Sequence, residues 1–247
     1  MKARQLAIAI ITVTALAITA VMGCRLLVPG EPSVNVDRAV YPCRGIDISA
    51  HNGEVDFDRV AADSIEFVYL KASEGGTWRD AFFERNYAAA LRAGLKVGAY
   101  HFFRFDVEGW RQSVNLLQVL KDRHLDLPVG IDVEEWGNPA EFTTEEIVDN
   151  LRSLVELLRQ NGREVMIYTN KNGYYRFLRG RFDDVQLWIC SFTTPALSEN
   201  SRWTMWQHSH KACVDGVQGP VDMSTFNDPY KGRFCDWVSR YPSISRL

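Results

Sequence analysis

Leu127-Pro128-Val129-Gly130-Ile131-Asp132-Val133-Glu134-Glu135-Trp136 is a short apolar run opened by a proline and closed by acids. A run of this kind reads as a buried parallel strand, with Pro128 near its first position, where no ladder N–H is required. Side chains alternate along a strand, so Asp132 and Glu134 project to one face while Ile131 and Val133 point to the other. At ~3.3 Å per residue the two carboxylates stand roughly 6.6 Å apart, a spacing that suits a proton donor beside a stabilising anion. A lone Asp-x-Glu more often just ends a strand in solvent. The pair gains meaning only if other acids and aromatics converge on it.

The flanking sequence repeats the pattern. Segments 45–49, 67–71, 96–103 and 165–169 read as further strands, each a short apolar run. Helical patterns separate them at 55–60, 82–93 and 110–120, the second closed by Gly94. A Thr143-x-x-Glu146 capping box opens another helix, whose Ile147, Leu151, Leu154, Val155 and Leu158 keep helical spacing until Asn161-Gly162. Strands at 185–190, 204–208 and 221–224 then follow with little room for helices between them. The pattern predicts a barrel-like α/β fold whose outer helices are missing in the C-terminal part.

Asp47, Glu74, His101, Asp132, Glu134, Thr169 and Asp222 all fall at or just beyond the ends of these strands. In a parallel barrel such ends share one face, where active sites are assembled from several strands. The chain has 247 residues, 46% of them hydrophobic, enough for one substantial core without a second domain. A net charge of −3 gives no reason to expect a nucleic-acid partner or a polybasic membrane surface. The aromatic share of 12% suits carbohydrate stacking and ordinary core packing equally.

Residues 1–23 read as a signal peptide, with Lys2 and Arg4 ahead of an apolar run. Val21-Met22-Gly23-Cys24 resembles the bacterial lipobox, which implies cleavage before Cys24 and lipidation of that residue. An uncleaved signal anchor and simple secretion are the alternatives, and all three place the chain outside the cytoplasm. Residues 24–42 read as a tether and 43–247 as the folded domain. The expected localisation is extracytoplasmic and membrane-anchored, as a periplasmic or cell-surface lipoprotein. Cys43, Cys190, Cys213 and Cys235 remain, and in an exported chain they predict at least one disulfide, its pairing open.

Gly45-Ile46-Asp47-Ile48-Ser49, Lys71-Ala72-Ser73-Glu74-Gly75, Gly98-Ala99-Tyr100-His101-Phe102 and Ile131-Asp132-Val133-Glu134 resemble, in order and spacing, the family 25 glycoside hydrolases, the N-acetylmuramidase lysozymes. Tyr168-Thr169-Asn170, Leu187-Trp188-Ile189, Trp206-Gln207 and Val221-Asp222 continue the match, which spans about 43–227. The resemblance implies an irregular TIM-like (β/α) barrel of about eight strands with roughly five helices. It implies a peptidoglycan hydrolase that cuts the β-1,4 bond between N-acetylmuramic acid and N-acetylglucosamine, working as a monomer without cofactor or metal. Glu134 would be the general acid, and Asp132 would stabilise the positive charge at the anomeric carbon or orient the acetamido group. Asp47 and Asp222 would complete the acidic floor. Tyr100, Tyr168, Trp188 and Trp206 would line the sugar site, with Glu74 and His101 beside them, and His101 suits a packed, hydrogen-bonded wall better than the role of a catalytic base. The stretch Ser49-Ala50-His51-Asn52-Gly53 lacks the aromatic often found in the family, and Phe192 stands where tyrosine is common.

Retention with participation of the substrate's acetamido group is the favoured course, with direct attack by Asp132 as the alternative. Two rival functions are a chitinase-like hydrolase of N-acetylglucosamine polymers and a non-catalytic, wall-binding lipoprotein. The first needs a longer acidic run before Asp132, and the second leaves four acids without a task. His208-x-His210 has no nearby third ligand for a metal, and Ser49 and Ser73 lack the context of a nucleophilic serine. Lys71 is expected to pair with an acid of the cluster. Trp110 and Trp136 carry no assignment.

Overall fold

Strands with alternating side chains have two faces to bury, and here each face meets its own apolar layer. The computed structural model describes residues 34–195, 197 and 203–227. The signal segment, Cys24 and Cys235 lie outside the described residues. The strands are β1 (Gly45–Ile48), β2 (Phe67–Glu74), β3 (Trp78–Arg79), β4 (Lys96–Phe102), β5 (Val129–Asp132), β6 (Val165–Asn170), β7 (Gln186–Cys190), β8 (Met205–Ala212) and β9 (Val221–Phe226). Because β1 pairs with both β2 and β9, eight of them close into a ring, and the two-residue β3 hangs outside on β2. The fold is an irregular TIM-like α/β barrel.

Five helical segments flank the ring: α1 (Phe57–Ala62), α2 (Phe83–Arg92), α3 (Gly109–Val119), α4 (Thr144–Gln160) and α5 (Lys171–Gly173), the last continuing into a π-helical turn at Tyr174–Leu178. Among the described residues no helix lies between β7 and β9, matching the expected loss of outer helices. The capping box at α4 forms as its residues predict: Glu146 N–H donates to Thr143 Oγ1 at 3.3 Å, and Thr143 N–H donates to Glu146 Oε2 at 2.8 Å. Its apolar stripe, from Ile147 to Leu158, is buried against the barrel. Each such side chain contributes ~1.5–3 kcal/mol on leaving water.

The outer layer joins Ile46, Val68, Val97, Ile131 and Ile167 to the helices, and the inner one is built on Phe67, Tyr69, Met166, Trp188, Met205 and Phe226. The interior is narrow, so large rings sit opposite residues that have no side chain. Gly45 is the register partner of Phe67 and Gly98 that of Tyr69. A methyl group on Gly98 would come within 2.5 Å of the Tyr69 ring, which leaves glycine as the residue that fits. Tyr69 then spends its hydroxyl on the carbonyl of Pro128 at 3.0 Å. This plug closes one end of the barrel. The other end stays open.

Two expectations change. Within the ring, every pairing among β1, β2 and β4 to β8 is parallel, but β9 runs antiparallel to both β8 and β1, as the outlying β3 does to β2. Asp222 therefore lies at the start of its strand, and the reversed direction brings it to the same face as the carboxyl ends of the parallel strands. The segment read as a tether is also partly folded: Val34, Val36 and Tyr41 pack on the main core, and the Tyr41 ring lies 5.9 Å from both Trp203 and Trp206.

Candidate active site

Register across the barrel gathers the acids. Asp132 lies beside Phe102 of β4 and Tyr168 of β6, and Tyr168 lies beside Trp188 of β7. On the far side Asp47 and Asp222 are direct partners across β1 and β9. One step nearer solvent on these inward faces than Tyr69 and Met205 come Lys71 and Gln207, which join the acids around a cleft of about 500 Å³. Glu74, Tyr100, Tyr168 and Trp188 line the same cleft with Asp47, Asp132, Glu134 and Asp222.

The central acids sit on a clamped backbone. Phe103 N–H donates to Asp132 O at 2.9 Å, and Val133 N–H to Tyr168 O at 2.9 Å. Thr169 Oγ1 donates to Val133 O at 2.7 Å. Asn138 then ties the following turn to the strand before it, because its Nδ2 donates to both Glu134 O and Phe103 O at 2.9 Å, and its Oδ1 accepts Phe105 N–H at 2.9 Å. Glu134 lies beyond the last ladder residue of β5, so these bonds rather than the sheet hold its backbone.

Burial dominates the electrostatics. It pushes the Glu134 carboxyl up to about 7, helped by the charge of Asp222 and opposed by Lys71. Asp132 is held well above the usual carboxylate range, first by burial and then by Glu134 and Asp47, with Lys71 again opposing. Its Oδ1 is buried and has no hydrogen-bond partner among the described residues. Burial and the neighbouring Asp222 raise Asp47 likewise, and burial raises Asp222 as well, so the two carboxyls titrate as a pair that holds a proton more tightly than an exposed carboxylate. Lys71 supplies the compensating charge at the rim: its Nζ lies 2.9 Å from Glu74 Oε2 and about 5 Å from the Trp78 and Phe102 rings, at 4.8 and 5.1 Å. Lys71 thus pairs with an acid, as expected.

Gln207, which the sequence leaves unassigned, links two site residues. Its Oε1 accepts the Tyr168 hydroxyl at 2.9 Å, and its Nε2 donates to Asp47 Oδ2 at 3.1 Å. Period 2 on β8 sends Gln207 and Trp206 to opposite faces, and the larger aromatic drew the assignment. The structure corrects it: Trp206 belongs to the outer apolar layer, where its Nε1 donates to Ser191 O at 2.7 Å, and does not line the cleft.

His101 is likewise removed from the sugar site. It is fully buried behind the wall, and burial lowers it to about 4. Gln112 gives both its N–H groups to backbone carbonyls, so its Oε1 accepts from His101 Nε2 at 3.1 Å, and His101 Nδ1 accepts the Ser73 hydroxyl at 2.8 Å. That is the packed wall role. Cys190 beside Tyr168 is no nucleophile, because burial pushes its thiol up to about 12. A cleft floored by carboxyls of raised proton affinity, with Glu134 still able to donate near neutrality, and walled by aromatic rings is equipped for acid-assisted cleavage of an acetal.

The model of the family described as "Glycosyl hydrolases family 25" matches residues 46–217. The Escherichia coli (strain K12) protein YegX, described as uncharacterized, is 32% identical over 195 residues, covering 76% of this chain and 71% of YegX. The autolytic lysozyme of Clostridium acetobutylicum is 30% identical over 185 residues, covering 75% of this chain and 56% of the relative. Among solved structures, a family 25 glycosyl hydrolase from Bacillus anthracis superposes with a TM-score of 0.75 at 27% identity, over 86% of this chain and 98% of the other.

Proposed function

Because the chain belongs to glycosyl hydrolase family 25, we infer that it is a peptidoglycan lysozyme, an N-acetylmuramidase. The reaction is hydrolysis of the β-1,4 bond between N-acetylmuramic acid and N-acetylglucosamine. The observation that carries this reading is Glu134, lifted by burial to about 7 in an open cleft beside the deeper Asp132.

In the mechanism we propose, Glu134 gives its proton to the glycosidic oxygen as the bond from that oxygen to the anomeric carbon breaks. The acetamido oxygen of the same sugar closes on the anomeric carbon, and the Asp132 carboxyl accepts a hydrogen bond from the acetamido N–H, which orients the group for attack. Water then opens this ring intermediate from the vacated side, losing its proton to the Glu134 carboxylate, so the configuration is retained. The hydrogen-bonded Asp47–Asp222 pair keeps a second negative charge near the developing cation, and Gln207 orients that pair. Tyr100, Tyr168 and Trp188 offer ring faces to the sugars. Mass spectrometry of digested peptidoglycan tests the reading: fragments should end in reducing muramic acid. Fragments ending in reducing N-acetylglucosamine, or no fragments, would overturn it.

The same reading extends to the parts outside the described residues. Lipidation at Cys24 would hold a monomeric hydrolase at a membrane, within reach of the glycan strands, and the lipobox-like Val21–Cys24 stretch supports it. We also propose at least one disulfide among Cys43, Cys190, Cys213 and Cys235, its pairing open, as four cysteines in an exported chain suggest.

A further inference from the structure

Trp136 is the most exposed of the large apolar side chains among the described residues, at 81%, yet it lines the catalytic cleft. An indole left in water gains nothing for the fold. On a mobile loop it would carry no argument, but this loop is pinned on both sides of the tryptophan. Before it, the Glu135 carboxylate pairs with the Arg176 guanidinium, which is itself fixed by Nε donating to Thr144 Oγ1 at 3.0 Å. After it, Gly137 O accepts from Arg104 Nη1, and Asn138 makes its three bonds to Phe103, Phe105 and Glu134. Gly137 holds a positive φ of 77° over the Phe102 ring, a conformation that side-chain-bearing residues rarely adopt. The backbone therefore fixes where the indole stands while its faces stay open.

Resting on the family 25 reading, we propose that Trp136 is a stacking platform for an N-acetylhexosamine ring next to the scissile bond. Trp136 is two residues past Glu134, so their Cα atoms lie within roughly 7 Å. A ring seated on the indole is thereby a neighbour of the bond that Glu134 protonates. Pyranose rings present C–H faces that suit a large aromatic surface, and a rigid platform holds one at little cost in ordering. The platform supplements Tyr168 and Trp188, which line the cleft deeper in its wall.

The test compares wild type, Trp136→Ala and Trp136→Phe on polymeric peptidoglycan, with turnover and co-sedimentation with insoluble peptidoglycan measured separately. Trp136→Ala should raise KM about tenfold, with kcat falling less, and weaken co-sedimentation to a similar degree. Trp136→Phe should recover most of both, and all three proteins should melt alike because the side chain supports no packing. Co-sedimentation of Trp136→Ala equal to wild type, or equal losses in the alanine and phenylalanine variants, would overturn the proposal. A wild type that binds but releases no reducing muramic acid would instead defeat the lysozyme reading, while the binding comparison still decides the role of Trp136.

Discussion

Glu134 reaches its raised proton affinity by losing solvent, and Lys71 limits how far the rise goes. Above about 7 the proton donor is spent, so activity should decline as pH rises through that value, and a pH–rate profile reads the limb directly. The stability consequence has a definite sign. Between the ordinary glutamate range and about 7 the folded state binds the proton more tightly than the unfolded chain, so Glu134 lowers stability as pH rises through that window. Glu134→Gln should accordingly melt higher than wild type by a larger margin at pH 8 than at pH 4, and equal margins would contradict the assignment. On natural glycan the same variant should lose about 10²–10⁴-fold in rate. With an activated leaving group it should lose less, because less protonation is needed. Asp132→Asn should hurt both substrates alike, since charge at the anomeric carbon develops whatever departs. Identical leaving-group responses from the two variants would mean that the roles are wrongly divided.

At the scale of elements, the barrel depends on large rings facing glycines. Gly98→Ala would drive a methyl group to 2.5 Å from the fully buried Tyr69 ring, whose hydroxyl is already committed to Pro128. Overpacking of this kind costs about 1–3 kcal/mol, and thermal unfolding should show it as a lowered melting temperature. An unchanged melting temperature would mean that Tyr69 has somewhere to go. The helices and most strands were legible beforehand because their signals are local: the Thr143 cap, the stripe from Ile147 to Leu158, and the alternation around Asp132. The direction of β9 was not. Apolar alternation is the same read forwards or backwards, and only pairing with β1 and β8 decides which end meets the acids.

Two predictions belong to the whole molecule. Cys24 should be the lipidated amino terminus of the mature protein, and mass spectrometry that finds residues ahead of it would refute this. Thiol counting on the denatured, unreduced protein should find fewer than four free thiols among Cys43, Cys190, Cys213 and Cys235, whereas four would exclude the disulfide. Assembly at this scale also explains how the site is held. The ring closes only when β9 is laid antiparallel between β8 and β1, and that closure places Asp222 directly beside Asp47.

The sequence by itself determined the α/β class, the barrel, the four acids and their family, because strand periodicity, capping and motif order are properties of neighbouring residues along the chain. Which face of β8 looks inward was beyond it, since Trp206 and Gln207 are adjacent and alternation alone does not say which one is inside. The tertiary structure decided for Gln207, buried His101 behind the wall, packed Val34, Val36 and Tyr41 against the core, and set Trp136 at the mouth of the cleft. Each of these depends on which strands become neighbours when the barrel closes. The raised proton affinity of Glu134 has the same origin, for desolvation and the charge of Asp222, 88 positions further along the chain, act only once the fold has brought them together.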